Sequence, residues 1–148
     1  MKGFGKQNKF NKKMKSDFKI NQSNTQLLNQ ALIFQSKGNI SEAKKYYKYL
    51  IDQGFEDYRV FANFGLILVS LNKFKEAELS TRRAISLNPN LAMAHCNLGS
   101  ILINLGKLEE AELYTRKAIS LNPNLAMANC NLGSVLINLG KLEEAELY

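Results

Sequence analysis

At 148 residues the chain has the length of a single domain, and 45% hydrophobic residues supply a folded core, which excludes a wholly disordered polymer. The formal charge of +7 is concentrated in residues 1–19, where seven Lys stand against one acid, Asp17, leaving thirteen basic and twelve acidic residues for the rest. The remainder is nearly neutral, so any argument for an anionic partner concerns the basic segment alone.

Residues 1–22 are predicted to form a basic, mostly disordered arm, because they combine Lys, Gly and Asn with isolated Phe residues and contain no apolar run. One interpretation is an arm that associates with RNA, ribosomes or an anionic membrane surface, with Phe4, Phe10 and Phe18 as stacking or inserting groups. The other is a solubilising leader. We favour the leader, since no sequence-specific RNA module accompanies the arm, and we do not expect the chain to bind nucleic acid.

The chain shows no signal for export or membrane insertion. The arm lacks the apolar core of a secretory signal, and the sequence contains no run of about 18 uncharged apolar residues, which a membrane span requires. Cys96 and Cys130 have no CxxC spacing and do not indicate an oxidising compartment. We therefore expect a cytoplasmic protein without a transmembrane segment.

From residue 23 onward the sequence repeats itself with a period of 34 residues. The run LAMAHCNLGSILINLGKLEEAELY at 91–114 returns at 125–148 with two changes, His95 to Asn129 and Ile101 to Val135. The same offset run backwards finds a third copy and a weaker fourth one. The predicted array occupies 23–148, with repeats at 24–57, 58–91 and 92–125 and a truncated repeat at 126–148.

Each repeat is predicted to fold as two amphipathic helices. In the repeat at 92–125, an apolar stripe at intervals of three and four residues marks the first helix: Leu98, Ile101, Leu102 and Leu105. Gly106 is expected to end that helix, since glycine adopts the left-handed backbone of many C-terminal caps, and Asn72 fills the same turn one repeat earlier. Pro123 then ends the second helix and turns the chain into the next repeat.

Small residues and proline recur at fixed places, namely Gly65, Ala77, Ala84 and Pro89, and again Gly99, Ala111, Ala118 and Pro123. At these positions the sequence resembles the tetratricopeptide repeat family. The resemblance implies an all-α fold, a right-handed superhelical solenoid of antiparallel helix pairs, whose concave face is lined by the first helices and usually holds the ligand. One departure is the aromatic that the family places fourth in its repeat, which only one repeat keeps, as Phe61.

An asparagine occupies the sixth place of every repeat, and two more flank this ladder on the predicted concave face: Asn29, Asn63, Asn97 and Asn131, with Asn104 and Asn138. The ladder resembles that of the O-linked glycosyltransferases, which grips substrate polypeptide. A row of carboxamides can hydrogen-bond the backbone of an extended peptide. The alternative is a structural role as a helix-surface residue. Because the last two repeats are near-identical copies, the argument for binding rests mostly on Asn29 and Asn63.

The rest of the predicted concave face is uncharged and mildly apolar. Its residues recur in pairs in the last two repeats: Met93 and Met127, Cys96 and Cys130, Ser100 and Ser134, Ile103 and Ile137. Chaperone-binding members of the family instead place Lys and Arg there, where they clamp a C-terminal carboxylate. Those cations are missing here, which argues against an Hsp70 or Hsp90 tail as the ligand.

No residue pattern indicates an enzyme or a cofactor. His95, Cys96 and Cys130 are of the types that bind zinc, but equivalent places in stacked helices lie about 10 Å apart, so we expect inert thiols. The Glu runs within 109–112 and 143–146 are interpreted as a solvated face that compensates the helix dipole. The glycines are isolated and form no phosphate-binding loop, so we expect neither a small-molecule substrate nor a metal.

Two functions from different classes remain. The first is a protein-interaction scaffold, not an enzyme, that binds an extended segment of a partner polypeptide in the concave groove. The alternative is the N-terminal substrate-recruiting region of a larger transferase, of the glycosyltransferase or sulfotransferase type, since the chain stops at Tyr148 within a helix whose apolar face would be unmatched. That uncapped end could also self-associate. RNA binding by a helical repeat is disfavoured, because the groove has no basic stripe.

Overall fold

A computed structural model describes residues 22–148, and all regular secondary structure in that range is helical. The predicted disordered arm lies outside the described residues, apart from its last position. The helices are α1 (Asn24–Ser36), α2 (Ile40–Asp52), α3 (Tyr58–Ser70), α4 (Phe74–Leu87), α5 (Ala92–Asn104), α6 (Leu108–Leu121), α7 (Ala126–Asn138) and α8 (Leu142–Ala145). The predicted all-α fold of consecutive helix pairs is confirmed.

The chain divides into two compact units, Met1–Phe55 and Glu56–Tyr148, and the described part of the first unit consists of α1 and α2. Ser23 caps α1 reciprocally: its hydroxyl accepts from the Gln26 backbone N–H, and Gln26 Oε1 accepts from the Ser23 backbone N–H. The Tyr47 hydroxyl of α2 donates to Gln35 Oε1 of α1 at 2.6 Å. This bond supplements the apolar packing that holds the pair together.

The second unit stacks α3 to α8. Each second helix packs on the first helix of its own pair, and α4 and α6 also pack on the first helix of the following pair. First helices contact each other as well, α3 with α5 and α5 with α7. Leu98, Leu102, Ala111 and Val135 form one cluster of the core and are fully buried. Ala111 has the smallest side chain of this cluster, and such residues let neighbouring helices approach closely, as the repeat pattern predicts.

The turns inside the helix pairs have a left-handed residue where the sequence predicts one. Gly106 has φ +71°, and Gly140 has φ +75° at the same place in the next repeat. Asn72 stands there in the preceding repeat with φ +56°. Asparagine is one of the few residues other than glycine that adopt this conformation routinely, because its short polar side chain can hydrogen-bond locally. The turn therefore keeps its left-handed conformation although asparagine replaces glycine.

Charged side chains join neighbouring repeats, so the expectation of a merely solvated glutamate face is wrong for Glu112 and Glu144, although Glu109 is exposed. Glu112 accepts from Arg116 Nε in its own helix at 2.9 Å and from Lys141 Nζ of the next repeat at 2.8 Å, and Arg116 also pairs with Glu144. The hydrogen bond from Lys141 lowers the pKa of Glu112 against the effect of its burial. The stacking of second helices brings these groups together, and helix periodicity alone does not show that contact.

The same charged cluster occurs one repeat earlier, with Glu78 between Arg82 and Lys107. Arg82 Nη2 donates to Glu78 Oε1 at 2.9 Å, Lys107 Nζ donates to both Glu78 carboxylate oxygens at 2.9 Å, and Arg82 also pairs with Glu110. Arg82 further donates to the Tyr114 hydroxyl at 2.9 Å and lies over its ring. The two clusters are related by the repeat period, so they stabilise the stacking of successive repeats in one register.

Candidate protein-binding surface

The six predicted asparagines all lie on the first helices of their pairs. Asn29 is exposed on α1 in the first unit. In the second unit, the ladder positions are half-buried, while the two flanking positions are exposed: Asn63 on α3, Asn97 and Asn104 on α5, and Asn131 and Asn138 on α7. Because α3 contacts α5 and α5 contacts α7, the five asparagines of the second unit belong to neighbouring helices.

Large apolar side chains are exposed on these same three helices. Leu66, Met93, Met127 and Ile137 have between 41% and 59% of their surface accessible. We call the surface made by these four residues, Arg59 and the five asparagines of the second unit the first-helix face. It combines exposed apolar groups with carboxamides, and Arg59 is its one charged side chain.

The ladder asparagines use their N–H groups in different ways. Asn131 Nδ2 donates to Ser100 Oγ at 2.8 Å and to the Cys96 carbonyl at 3.4 Å, so it ties α7 to α5. Asn63 Nδ2 donates to the Arg59 carbonyl within α3 at 2.8 Å. At Asn131 the geometry therefore supports the structural interpretation of the ladder.

The residue that a ladder asparagine meets in the preceding repeat also distinguishes Asn131 from Asn97. Asn131 meets Ser100, but the residue that corresponds to Ser100 one repeat earlier is Leu66, which offers Asn97 no hydroxyl group. Asn97 consequently cannot make the bond that Asn131 makes. Identical asparagines in near-identical repeats thus differ in how strongly the fold engages them.

The flanking asparagines bond back to their own helices. Asn104 Nδ2 donates to the Ser100 carbonyl at 2.8 Å, and Asn138 Nδ2 donates to the Ser134 carbonyl at 2.7 Å. Each bond fixes the direction of an exposed carboxamide, because its N–H group is held against the helix backbone. The two carboxamides are therefore presented in the same way in successive repeats.

The one cation of the first-helix face is neutralised by a neighbour. Arg59 Nε and Nη2 donate to the two carboxylate oxygens of Asp57 at 2.9 and 2.7 Å, and the Arg59 backbone N–H donates to Asp57 Oδ1 at 2.9 Å. Asp57 is the N-cap of α3. The hydrogen bond from Arg59 lowers the pKa of the Asp57 carboxyl, so this acid stays charged at neutral pH.

Models of the tetratricopeptide repeat match residues 58–91, 92–125 and 114–147, which together span more than half of the chain. The chain belongs to the tetratricopeptide repeat family. Such repeats are scaffolds for protein interaction. No curated protein shows a significant sequence match to this tetratricopeptide repeat protein.

Solved structures share the fold. MamA matches with a TM-score of 0.80 at 22% identity, over 93% of this chain and 80% of that chain. The first TPR of Spaghetti (RPAP3), bound to the HSP90 peptide SRMEEVD, matches with a TM-score of 0.71 at 25% identity, over 77% of this chain and 90% of that chain. The Thermobaculum terrenum O-GlcNAc transferase matches with a TM-score of 0.68 at 24% identity, over 76% of this chain and 22% of that chain.

The groups considered as zinc ligands have other environments in this tetratricopeptide repeat protein. His95 is buried, with Nε2 2.8 Å from the Pro89 carbonyl oxygen and its ring stacked on Tyr114. Cys96 is buried, which raises the pKa of its thiol, whereas Cys130 is exposed. Within residues 22–148, no three His, Cys, Asp or Glu side chains are grouped to hold a metal ion. His95 thus packs between repeats, a role that its place in the motif does not reveal.

Among the described helices, none is both long enough and apolar enough to cross a bilayer. Near the C-terminal end of the chain, Leu142, Leu147 and Tyr148 are exposed. Self-association through this end stays a prediction.

Proposed function

We propose that this tetratricopeptide repeat protein holds an extended segment of a partner polypeptide on its first-helix face. The observation that carries the proposal is the row of exposed apolar side chains on α3, α5 and α7, interspersed with carboxamides. Burying the apolar groups would supply affinity, and the carboxamides would hydrogen-bond the partner's backbone. The peptide-bound RPAP3 structure supports the proposal, since it shows a similar fold holding a peptide.

The second helices offer a less suitable surface, although they also expose leucines. Leu79 and Leu113 are 72% and 65% accessible. Charged residues flank each of them one helical turn away: Lys75 and Arg83 beside Leu79, and Glu109 and Lys117 beside Leu113. A single exposed leucine among charges is normal for a protein surface, whereas the first-helix face offers uncharged neighbours.

The hydrogen bonds indicate that the asparagines contribute unequally to binding. Asn131 donates its N–H groups to α5, so its carboxamide is partly engaged by the fold. Asn97 has no equivalent hydroxyl partner in α3, and Asn63, Asn104 and Asn138 donate within their own helices and not to a neighbouring one in the bonds described above. We therefore assign the backbone contacts mainly to Asn63, Asn97, Asn104 and Asn138. Asn29 lies in the first unit, and its part in binding stays a prediction of its own.

Replacing both Asn63 and Asn97 with Ala is expected to weaken partner binding about fivefold, because two backbone hydrogen bonds of modest net strength are lost. The partner is captured from native cells on the immobilised protein and identified, and its affinity for each variant is then measured by titration. Asn90→Ala with Asn124→Ala is the matched control, since it makes the same chemical change outside the helices. If the affinity is unchanged in the Asn63→Ala and Asn97→Ala variant while circular dichroism shows that it stays helical, the proposed role of the asparagines in binding is wrong.

The alternative, a substrate-recruiting region of a larger transferase, stays a prediction. The O-GlcNAc transferase likeness is at 24% identity and covers 22% of that chain, so it concerns the fold of the repeats. Both functions require the same face to hold a polypeptide. They differ in whether the bound segment is a stable partner or a substrate that is modified elsewhere in the polypeptide.

A further inference from the structure

The first-helix face carries its one cation at the edge where α3 begins. Arg59 lies in the first turn of α3, and the corresponding positions of the next two repeats are Met93 and Met127. The Arg59 side chain is partly exposed. An arginine in this position would normally attract a carboxylate of a bound segment, since a guanidinium matches a carboxylate through two parallel hydrogen bonds.

Asp57 already accepts the two parallel hydrogen bonds that the Arg59 guanidinium can donate. It receives both side-chain donors of Arg59 and also the Arg59 backbone N–H, and its own side chain is largely buried. A competing carboxylate would have to break this bidentate pair and would meet the negative charge of Asp57. The paired residues are neutral overall, so the first-helix face together with Asp57 has no net charge.

Resting on the proposed function, we infer that the first-helix face selects a segment without acidic side chains, and that Asp57 sets this selectivity by masking Arg59. The fitting partner is an extended segment whose side chains toward the face are uncharged, with apolar groups that pack against Met93, Met127 and Leu66. Asp57 is a positioning residue here, because it acts through Arg59 and not by touching the segment.

Selection from a random peptide library tests the inference on three versions of the full chain: the natural protein, Asp57→Asn, and Asp57→Asn combined with Arg59→Gln. Asparagine keeps an oxygen that can accept from the Arg59 backbone N–H and is itself a favoured N-cap, so α3 is expected to form in each variant. Circular dichroism verifies this. The readout is the frequency of Asp and Glu among enriched peptides.

The natural protein is expected to enrich peptides depleted in Asp and Glu. Asp57→Asn should raise their frequency about threefold, which corresponds to the modest strength of an exposed ion pair, and the double variant should return to the natural profile. Enrichment of acidic peptides by the natural protein, or an unchanged profile for Asp57→Asn, would overturn the inference and leave the proposed function standing. Failure of the natural protein to enrich any peptide would overturn both.

Discussion

Gly99→Ala is expected to lower the free energy of unfolding by about 2 kcal/mol, the range of an overpacked core. Gly99 is buried in α5, and a Cβ atom built there would lie 2.3 Å from Thr115 Oγ1 in α6. Thr115 is fully buried, so it has little room to move away. The change would therefore separate the two helices of a pair. Denaturant unfolding followed by circular dichroism measures the effect.

Removing the Thr115 hydroxyl provides the control, because Thr115 Oγ1 is the atom that the new Cβ would meet. Thr115 Oγ1 makes no hydrogen bond within the described residues, so its loss breaks none. Adding Thr115→Ala to Gly99→Ala should restore most of the lost stability. An equal loss for Gly99→Ala with and without Thr115→Ala would show that the Thr115 contact is not the cause.

Glu78→Gln is expected to cost about 1.5 kcal/mol, between the value of an exposed ion pair and that of a buried one. The Glu78 side chain is only 12% accessible and accepts hydrogen bonds from both Arg82 and Lys107. Removing its charge weakens the contact between two repeats and leaves two cations side by side. Glu76→Gln is the control, since Glu76 is well exposed and pairs with Lys73 within its own repeat. Similar losses in both variants would contradict the assigned role of Glu78.

The contribution of Glu78 should also depend on pH. Burial would raise the pKa of Glu78, but hydrogen bonds from Lys107 and Arg82 outweigh this effect and lower the pKa below the ordinary value of a glutamate. The group binds its proton more weakly in the folded state than in the unfolded state. Its stabilisation is therefore fully present above the ordinary pKa of a glutamate, and it is lost as the pH falls through the lower pKa of the folded state. The stability difference between the natural protein and Glu78→Gln should shrink over that window in unfolding curves.

Much of the fold is predictable because its determinants are local or recur at a fixed period. The helix-pair architecture follows from the apolar stripe that includes Leu98 and Leu102, both of which the structure buries. The turn at Gly106 and its replacement by Asn72 follow from the backbone conformation those residues tolerate. The 34-residue period also indicates the family, and the family models confirm it.

The sequence pattern does not predict the contacts between repeats. Arg82 and Glu110 are 28 residues apart, so helical spacing does not connect them, although the pairing of Arg82 with Glu78 at four residues is visible. The environment of an asparagine likewise depends on the preceding repeat, because Asn131 bonds to Ser100 and the counterpart of Ser100 one repeat earlier is Leu66. Arg59 and Asp57 are two residues apart, and their pairing could have been predicted from the sequence. An acidic residue at a helix N-cap close to an arginine is a pattern that indicates such a pair.

The location of the partner on the protein tests the central proposal most directly. A photo-crosslinking amino acid, p-benzoylphenylalanine, is placed in native cells at Met93 or Met127 on the first-helix face, and at Leu79 or Leu113 on the second helices. All four positions are exposed, and Leu79 and Leu113 are more exposed than Met93 and Met127, so accessibility does not favour the predicted result. We predict that Met93 and Met127 crosslink to a shared partner and that Leu79 and Leu113 do not. Crosslinks confined to Leu79 and Leu113 would contradict it and move the binding surface to the second helices.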